Sequence, residues 1–288
     1  MTEIILGAAN FGKNYGVANK GQLLTREESR LMINWAQKNG INHFDTALAY
    51  GESNTILADF LDYSKEPIID TKLDERSCQS SKLIVDTATA MRQKIGVSEL
   101  SVLYLHDEEL LKSSLAPQIS IGLKQVLSRG IAKKIGVSVY SESSVFDCKT
   151  ALPELSVFQV PENICDRRLI ASPGIQKLSE EGNHFILRSI FLQGLLMMGP
   201  ATIPAPLKAA ENSIENLIHF SRSNSLTVLD VCLAYAKSIS WASGIVLGAA
   251  SLSQLREILE SSAFLPSGWA NAISKLPPEI VDPRRWSL

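Results

Sequence analysis

The feature that most constrains this chain is an alternation of short β-rich runs with helical stretches, sustained through eight units in 288 residues. Strands are read at 3–7, 42–46, 67–72, 101–106, 132–139, 156–160, 183–189 and 243–249. Between them, apolar residues recur at helical spacing over 25–40, 52–62, 79–95, 115–128, 141–149, 172–181, 211–223, 225–237 and 251–260. A helix between two strands returns the chain to the end it left, so the strands run parallel. Eight such units argue for a closed (β/α)8 TIM barrel of the α/β class rather than an open doubly wound sheet. No GxGxxG follows any strand, which weakens the open dinucleotide-binding alternative further. Residues 1–288 are read as one domain, since α/β barrels reach about this length undivided.

Local punctuation agrees with the period. In "TREESRLMINWAQKNG", Thr25 followed three residues later by Glu28 predicts a capping box, and Gly40 a helix stop. Leu31, Ile33, Trp35 and Ala36 are read as core-facing. Two stretches lack a period: 192–212 and the tail from Phe264. Long irregular connections in compact domains are often binding loops. The Met197–Met198 pair in the first is read as loop packing. The arginines of "DPRRW" (282–286) are read as pinning the tail to the barrel.

Composition excludes several classes. The net charge of −2, with 28 basic and 30 acidic residues, offers no basic field for nucleic acid or an anionic membrane. No apolar run approaches the roughly 20 residues of a membrane span, and the N-terminus lacks a signal pattern, so the expected location is cytoplasmic. Cys78, Cys148, Cys165 and Cys232 are scattered without a CxxC pair, and the four histidines show no ligand spacing. Neither a disulfide framework nor a metal site is expected.

In a barrel of this type, polar residues at the carboxyl ends of the strands read as function. Asp45 ends the second strand, Tyr50 follows in its loop, Lys72 ends the third and His106 the fourth. Three consecutive corners thus aim an acid, a phenol, an amine and an imidazole at one patch. A phenol with a pKa near 10 is a poor proton donor at neutral pH. An ammonium about 4 Å away would favour the phenolate by ~4 kcal/mol at an effective dielectric near 20, against ~1 kcal/mol in bulk water. Lys72 is therefore expected to lower the Tyr50 pKa, with Asp45 keeping Lys72 charged. His106 is expected to donate a hydrogen bond to a substrate carbonyl oxygen. Such a set delivers a proton to a developing alkoxide; the missing hydride implies a nicotinamide cofactor.

The order "GAANFG" (7–12), "FDTALAYG" (44–51), "TKL", "LYLHD" and "KKIGVS" resembles the aldo-keto reductase superfamily along essentially the whole chain. A softer likeness is to bacterial reductases found beside surface-polysaccharide genes. The resemblance implies that Asp45, Tyr50, Lys72 and His106 are the catalytic tetrad, with Tyr50 as general acid in reduction. It implies that Ser138 and Gln159 hold the nicotinamide carboxamide and that Arg188 stacks on its ring. Gly7, Asp45, Ser189, Leu192, Gln193, Gly194, Leu196, Gly248, Ala249, Ser251 and Gln254 complete the implied coenzyme contacts, and Tyr15, Tyr50 and His106 the substrate contacts.

Two departures stand out. Val139 replaces the Asn usual after "IGVS". Ser251 and Gln254 stand where members preferring NADPH carry Lys or Arg for the 2′-phosphate, though they also form an S-x-x-Q capping pattern. NADP(H) or NAD(H) is the implied cofactor, with a weakened preference for the 2′-phosphate. The first reading is thus reduction of an aldehyde or ketone, open to sugar-derived carbonyls, by a monomer or weak homo-oligomer. The alternatives are a nucleotide-binding regulatory protein with little turnover, and a Schiff-base isomerase or lyase built on Lys72.

Overall fold

A computed structural model describes residues 2–19 and 23–287. Residues 20–22, inside the first connecting loop, and the two terminal residues of the expected domain lie outside that description. Eight strands follow one another around a closed, wholly parallel barrel: β1 (Glu3–Gly7), β2 (His43–Asp45), β3 (Ile68–Leu73), β4 (Leu100–Leu105), β5 (Ala132–Ser138), β6 (Val157–Pro161), β7 (His184–Arg188) and β8 (Ala242–Leu247). Closure is made by β1 against β8, with Ile4 opposite Ile245 and Leu6 opposite Leu247.

The helices are α1 (Ala9–Gly12), α2 (Arg26–Lys38), α3 (Ser53–Phe60), α4 (Ser81–Ile95), α5 (Ala116–Ser128), α6 (Glu142–Ala151), α7 (Pro173–Glu180), α8 (Glu211–Ser223), α9 (Val228–Lys237), α10 (Leu252–Glu260) and α11 (Trp269–Ala272). The alternation read from sequence is therefore the architecture, with α1 and α11 as short additions. The ends are set by side chains that satisfy the backbone. Thr25 and Glu28 form the expected capping box on α2, and Gly40 follows in a left-handed conformation. A second box, Thr227 with Asp230, starts α9 at Val228 rather than at the expected 225. The irregular stretch 192–212 is wound into three short 3-10 turns.

Apolar packing falls into two layers. Inside the barrel, Ile5, Val102, Tyr104, Val157 and Ile186 form a separate cluster. The larger layer lies between strands and helices and includes Leu6, Met32, Phe44, Leu103, Leu123, Phe158, Phe185 and Leu233. Each such side chain contributes about 1.5–3 kcal/mol by burial, before the entropy of ordering the chain is subtracted. Gly136 is required by the interior: a Cβ there would meet the Tyr104 ring at 2.6 Å. On α2, Ile33 and Ala36 face the core as expected, but Leu31 is exposed and Trp35 half-buried, because the apolar stripe runs through Met32, Ile33 and Ala36. Among the described residues, no helix is long and apolar enough to cross a membrane. No group of His, Cys, Asp and Glu among them could hold a metal.

Candidate active site

The barrel brings the expected polar residues to its carboxyl-terminal mouth through register alone. Gly7 lies opposite Asp45, Lys72 opposite Tyr104, and Ser138 opposite Gln159. Past the strands, the ladder continues into the loops: Leu48 N donates to Lys72 O at 3.0 Å and His106 N to Leu73 O at 3.0 Å. The corner carrying Tyr50 is pinned from below. Thr46 Oγ1 donates to Asn54 Oδ1 at 2.8 Å, and Ser53 Oγ donates to Ala8 O at 2.9 Å.

Two glycines complete that corner. A Cβ on Gly12 would lie 1.8 Å from Tyr50 O, and one on Gly51 2.3 Å from Gly12 O. Gly51 is also left-handed, at φ +55. The last glycine of "GAANFG" and the one after Tyr50 are thus two sides of a single backbone contact. That contact fixes where the phenol stands.

Lys72 is ion-paired with Asp45, both almost fully buried, and also donates to Thr46 O at 3.2 Å. Gln159 Nε2 donates to the other Asp45 oxygen at 2.5 Å. The Lys72 ammonium lies 5.5 Å from the Tyr50 ring centre and 5.6 Å from that of Tyr104. His106 meets Tyr50 edge-on, with ring centres 5.9 Å apart.

The electrostatics depart from the sequence expectation. Burial pushes the Tyr50 pKa up, the Asp45 carboxylate adds to the rise, and Arg188 opposes both. The ammonium does not lower the phenol as expected, because Asp45 balances its charge. Burial, followed by the Lys72 charge, lowers His106 to about 4, so its imidazole is neutral at physiological pH.

Below the tetrad, a polar chain runs down the barrel. Tyr104 Oη donates to Asp70 Oδ2 at 3.4 Å, and Asp70 Oδ2 lies 3.1 Å from His43 Nε2. His43 Nδ1 in turn lies 3.0 Å from Glu3 Oε1 at the opposite rim. Pairing with both carboxylates outweighs burial and raises His43 to about 10.

Beside Tyr50 opens a cavity of about 320 Å³. Of the expected contacts it is lined by Gly7, Tyr15, Asp45, Tyr50, Gln159, Arg188, Ser189, Gln193, Gly194, Gly248 and Gln254. The others stand apart from it, His106 of the expected substrate contacts among them. Ser138 is buried beside Gln159. Leu192 and Leu196 are wholly buried in the apolar layer. Ala249 uses its carbonyl to accept from Asn10 Nδ2 at 2.9 Å. Ser251 caps α10, and Gln254 Oε1 accepts from Ala250 N at 2.8 Å rather than completing a reciprocal box. Arg188 lies over Tyr140, 4.2 Å from its ring centre, and donates to Val139 O at 3.1 Å. Val139, in place of the usual Asn, is buried.

Sequence reasoning missed Asn10, Met197 and Glu257, all of which line the cavity. For Asn10 the signal was present inside "GAANFG"; Met197 and Glu257 carry none that distinguishes them from packing or surface residues.

The cavity has the marks of a ligand cradle. Among the described residues, Asn10 Oδ1 and Arg188 Nε are buried without a hydrogen-bond partner. Ser189, Leu192, Gln193 and Gly194 all take positive φ, between 47 and 88. For the first three this is strain of the kind that clusters at ligand clamps. This β7 loop touches the β1 loop closely: a Cβ on Gly16 would lie 3.1 Å from Gln193 O, and one on Gly194 2.7 Å from Ala18 Cβ. The two loops thus meet as a strap along one side of the cavity. Buried donors and acceptors, a backbone strap and an adjoining phenol fit an extended nicotinamide coenzyme.

Comparison with known proteins gives a consistent picture. Residues 3–268 match the model of the Aldo/keto reductase family. Among solved structures, the thermostable aldo-keto reductase Tm1743, crystallised with the inhibitor epalrestat, is similar at 17% identity and a TM-score of 0.73, covering 94% of this chain and 93% of that one. PA4992 of Pseudomonas aeruginosa, described as an aldo-keto reductase, is similar at 17% identity and a TM-score of 0.66, covering 90% and 89%. At these identities the structural likeness shows the fold alone. No curated protein sequence matches this chain.

Proposed function

The chain belongs to the aldo/keto reductase family, and we propose that it reduces an aldehyde or ketone to the alcohol, with Tyr50 donating the proton. The observation that carries this reading is a half-buried phenol on the cavity wall, flanked by a neutral imidazole and a charge-balanced ammonium. When bound, a nicotinamide coenzyme supplies the hydride that reaches the carbonyl carbon. All other contributions come from the chain's own side chains.

Because its pKa is raised, Tyr50 stands fully protonated before reaction, as a donor must. Its Oη proton passes to the carbonyl oxygen as the new C–H bond forms, leaving the alcohol and a phenolate. Neutral His106 donates a hydrogen bond to the same oxygen and orients it. Arg188, whose charge opposes the rise in the Tyr50 pKa, then offsets the phenolate charge, which is worth far more in this water-poor pocket than in solvent. Asp45 positions Lys72 and is itself held by Gln159.

The coenzyme contacts follow the cavity. Gln159, on the cavity wall, holds the carboxamide with Ser138 buried beside it, Arg188 stacks on the ring, and the strap 189–194 covers the pyrophosphate. At the adenosine end, Gln254 and the Glu257 carboxylate line the wall, and the nearby Arg256 lies 5.7 Å from the Trp35 ring centre instead. A carboxylate disfavours a 2′-phosphate and suits a ribose diol, so we assign a preference for NADH.

The test is coenzyme depletion over a panel of sugar aldehydes, keto sugars and aromatic aldehydes. Saturable turnover supports the reading. Tight coenzyme binding with no turnover on any carbonyl would instead support a regulatory, nucleotide-binding protein.

A further inference from the structure

A second cavity, of about 530 Å³, lies outside the proposed catalytic machinery. It opens between the loop after β5, the segment after β6 and the C-terminal tail, with lining residues that run from Tyr140 through Arg168 to Arg285. Five cations and three carboxylates line it, a net positive wall on a chain whose overall charge is −2.

The carboxylates are already engaged. Asp166 takes both Nε and Nη2 of Arg168, at 2.7 and 2.8 Å. Asp282 likewise takes Arg284, and Glu108 accepts from Tyr140 N at 2.9 Å. Asp166 and Asp282 are each matched by an arginine, whereas Glu108 keeps its charge, so three remaining cations face one remaining carboxylate. Arg167 gives its terminal nitrogens to the neutral carbonyls of Ala270 and Ile273, and its Nε is buried with no hydrogen-bond partner among the described residues. The Lys275 ammonium makes no hydrogen bond or ion pair among the described residues. Arg285 has only a 3.8 Å approach to Asp282, which is already bound by Arg284. Like charges gathered in one concavity raise each other's energy, and an anion placed between them relieves it.

From this juxtaposition we propose that the cavity is a binding site for a small phosphate ester. A dianion with three equivalent oxygens matches the Arg285 fork and the Lys275 ammonium, with the Arg167 charge adding to the attraction, and the volume lies in the range of metabolite pockets. The site shares a wall with the cavity beside Tyr50: the Tyr140 ring lies 4.2 Å from Arg188 Cζ and 3.3 Å from Arg284 Cζ. Occupancy is thereby felt at Arg188. The proposal does not rest on the carbonyl chemistry, since binding is read without turnover.

The test is calorimetric titration of the full chain with a hexose 6-phosphate and with the unphosphorylated hexose, at low and high salt. The phosphate ester is expected to bind saturably, at least about tenfold more tightly than the parent sugar, and more weakly as salt rises. The double charge reversal Lys275→Glu, Arg285→Glu, at two exposed positions, is expected to weaken it by about tenfold or more with the thermal midpoint and coenzyme affinity unchanged. Competition with a carbonyl substrate would identify the phosphate as the substrate's own anionic arm; binding without competition would identify a separate ligand. Equal affinity for sugar and sugar phosphate, or binding insensitive to the double reversal, would overturn the proposal.

Discussion

Replacing Gly12 by Ala tests how the fold positions the proposed acid. The added methyl would stand 1.8 Å from Tyr50 O, 2.4 Å from Ser53 N and 2.8 Å from Glu52 N, all of them backbone. No side chain can rotate away, so the corner after β2 must move by about 1 Å or more before an acceptable contact is restored. A displacement of about 1 Å at reacting groups costs on the order of 10²-fold in rate. Gly12→Ala is therefore expected to lose about a hundredfold in turnover, while coenzyme affinity changes little, because Gly12 does not line the cavity. Gly40→Ala serves as the control: it is left-handed, at φ +84, but has nothing within 4 Å of its Cβ. That change should cost about 1 kcal/mol of stability and no turnover. Thermal unfolding and single-turnover kinetics on both variants separate strain from displacement. Turnover of Gly12→Ala within twofold of the parent would refute the argument that this contact sets the position of Tyr50.

Two further expectations concern charge. With Glu257 on the adenosine wall, the ratio of kcat/KM values should favour NADH by about tenfold, since a dianion some 6 Å from a carboxylate in water costs ~1.4 kcal/mol. Glu257→Lys should move that ratio by about a hundredfold toward NADPH, and a parent preference for NADPH above a hundredfold would contradict the assignment. His43, raised from 6.5 to about 10, binds a proton in the folded state that the unfolded chain has lost above neutrality. Its stabilisation is complete below about pH 6.5 and disappears as pH rises toward 10, with a slope of at most about 1.4 kcal/mol per pH unit. Denaturant titrations across pH 7–10 should show that decline in the parent and lose it in His43→Gln; matching slopes in the two proteins would show that the proton is not held there.

The barrel was legible because its signals are local and repetitive. Apolar runs, Thr25–Glu28 and the scattered serine caps each fix a boundary on their own, and eight parallel units have few ways to bury both layers. Asp45, Lys72 and His106 were legible for the same reason, since each ends a strand whose position the period sets. What escaped depends on distances between parts remote in sequence. The direction of the Tyr50 shift turns on desolvation of the phenol, to which the Asp45 carboxylate adds. The stacking of Arg188 on Tyr140 needs the β5 and β7 loops to meet, and Asn10 reaches Ala249 across 239 residues. Leu192 and Leu196 point into the apolar layer because the strap turns through left-handed conformations that no residue type there announces, apart from Gly194.

The central claim is that the Tyr50 hydroxyl supplies the proton, and its most direct measurement is the single-turnover rate of Tyr50→Phe with coenzyme bound. The account expects a loss of about three orders of magnitude or more with the coenzyme dissociation constant within about threefold of the parent. Reduction of the same carbonyl at the parent rate would contradict it.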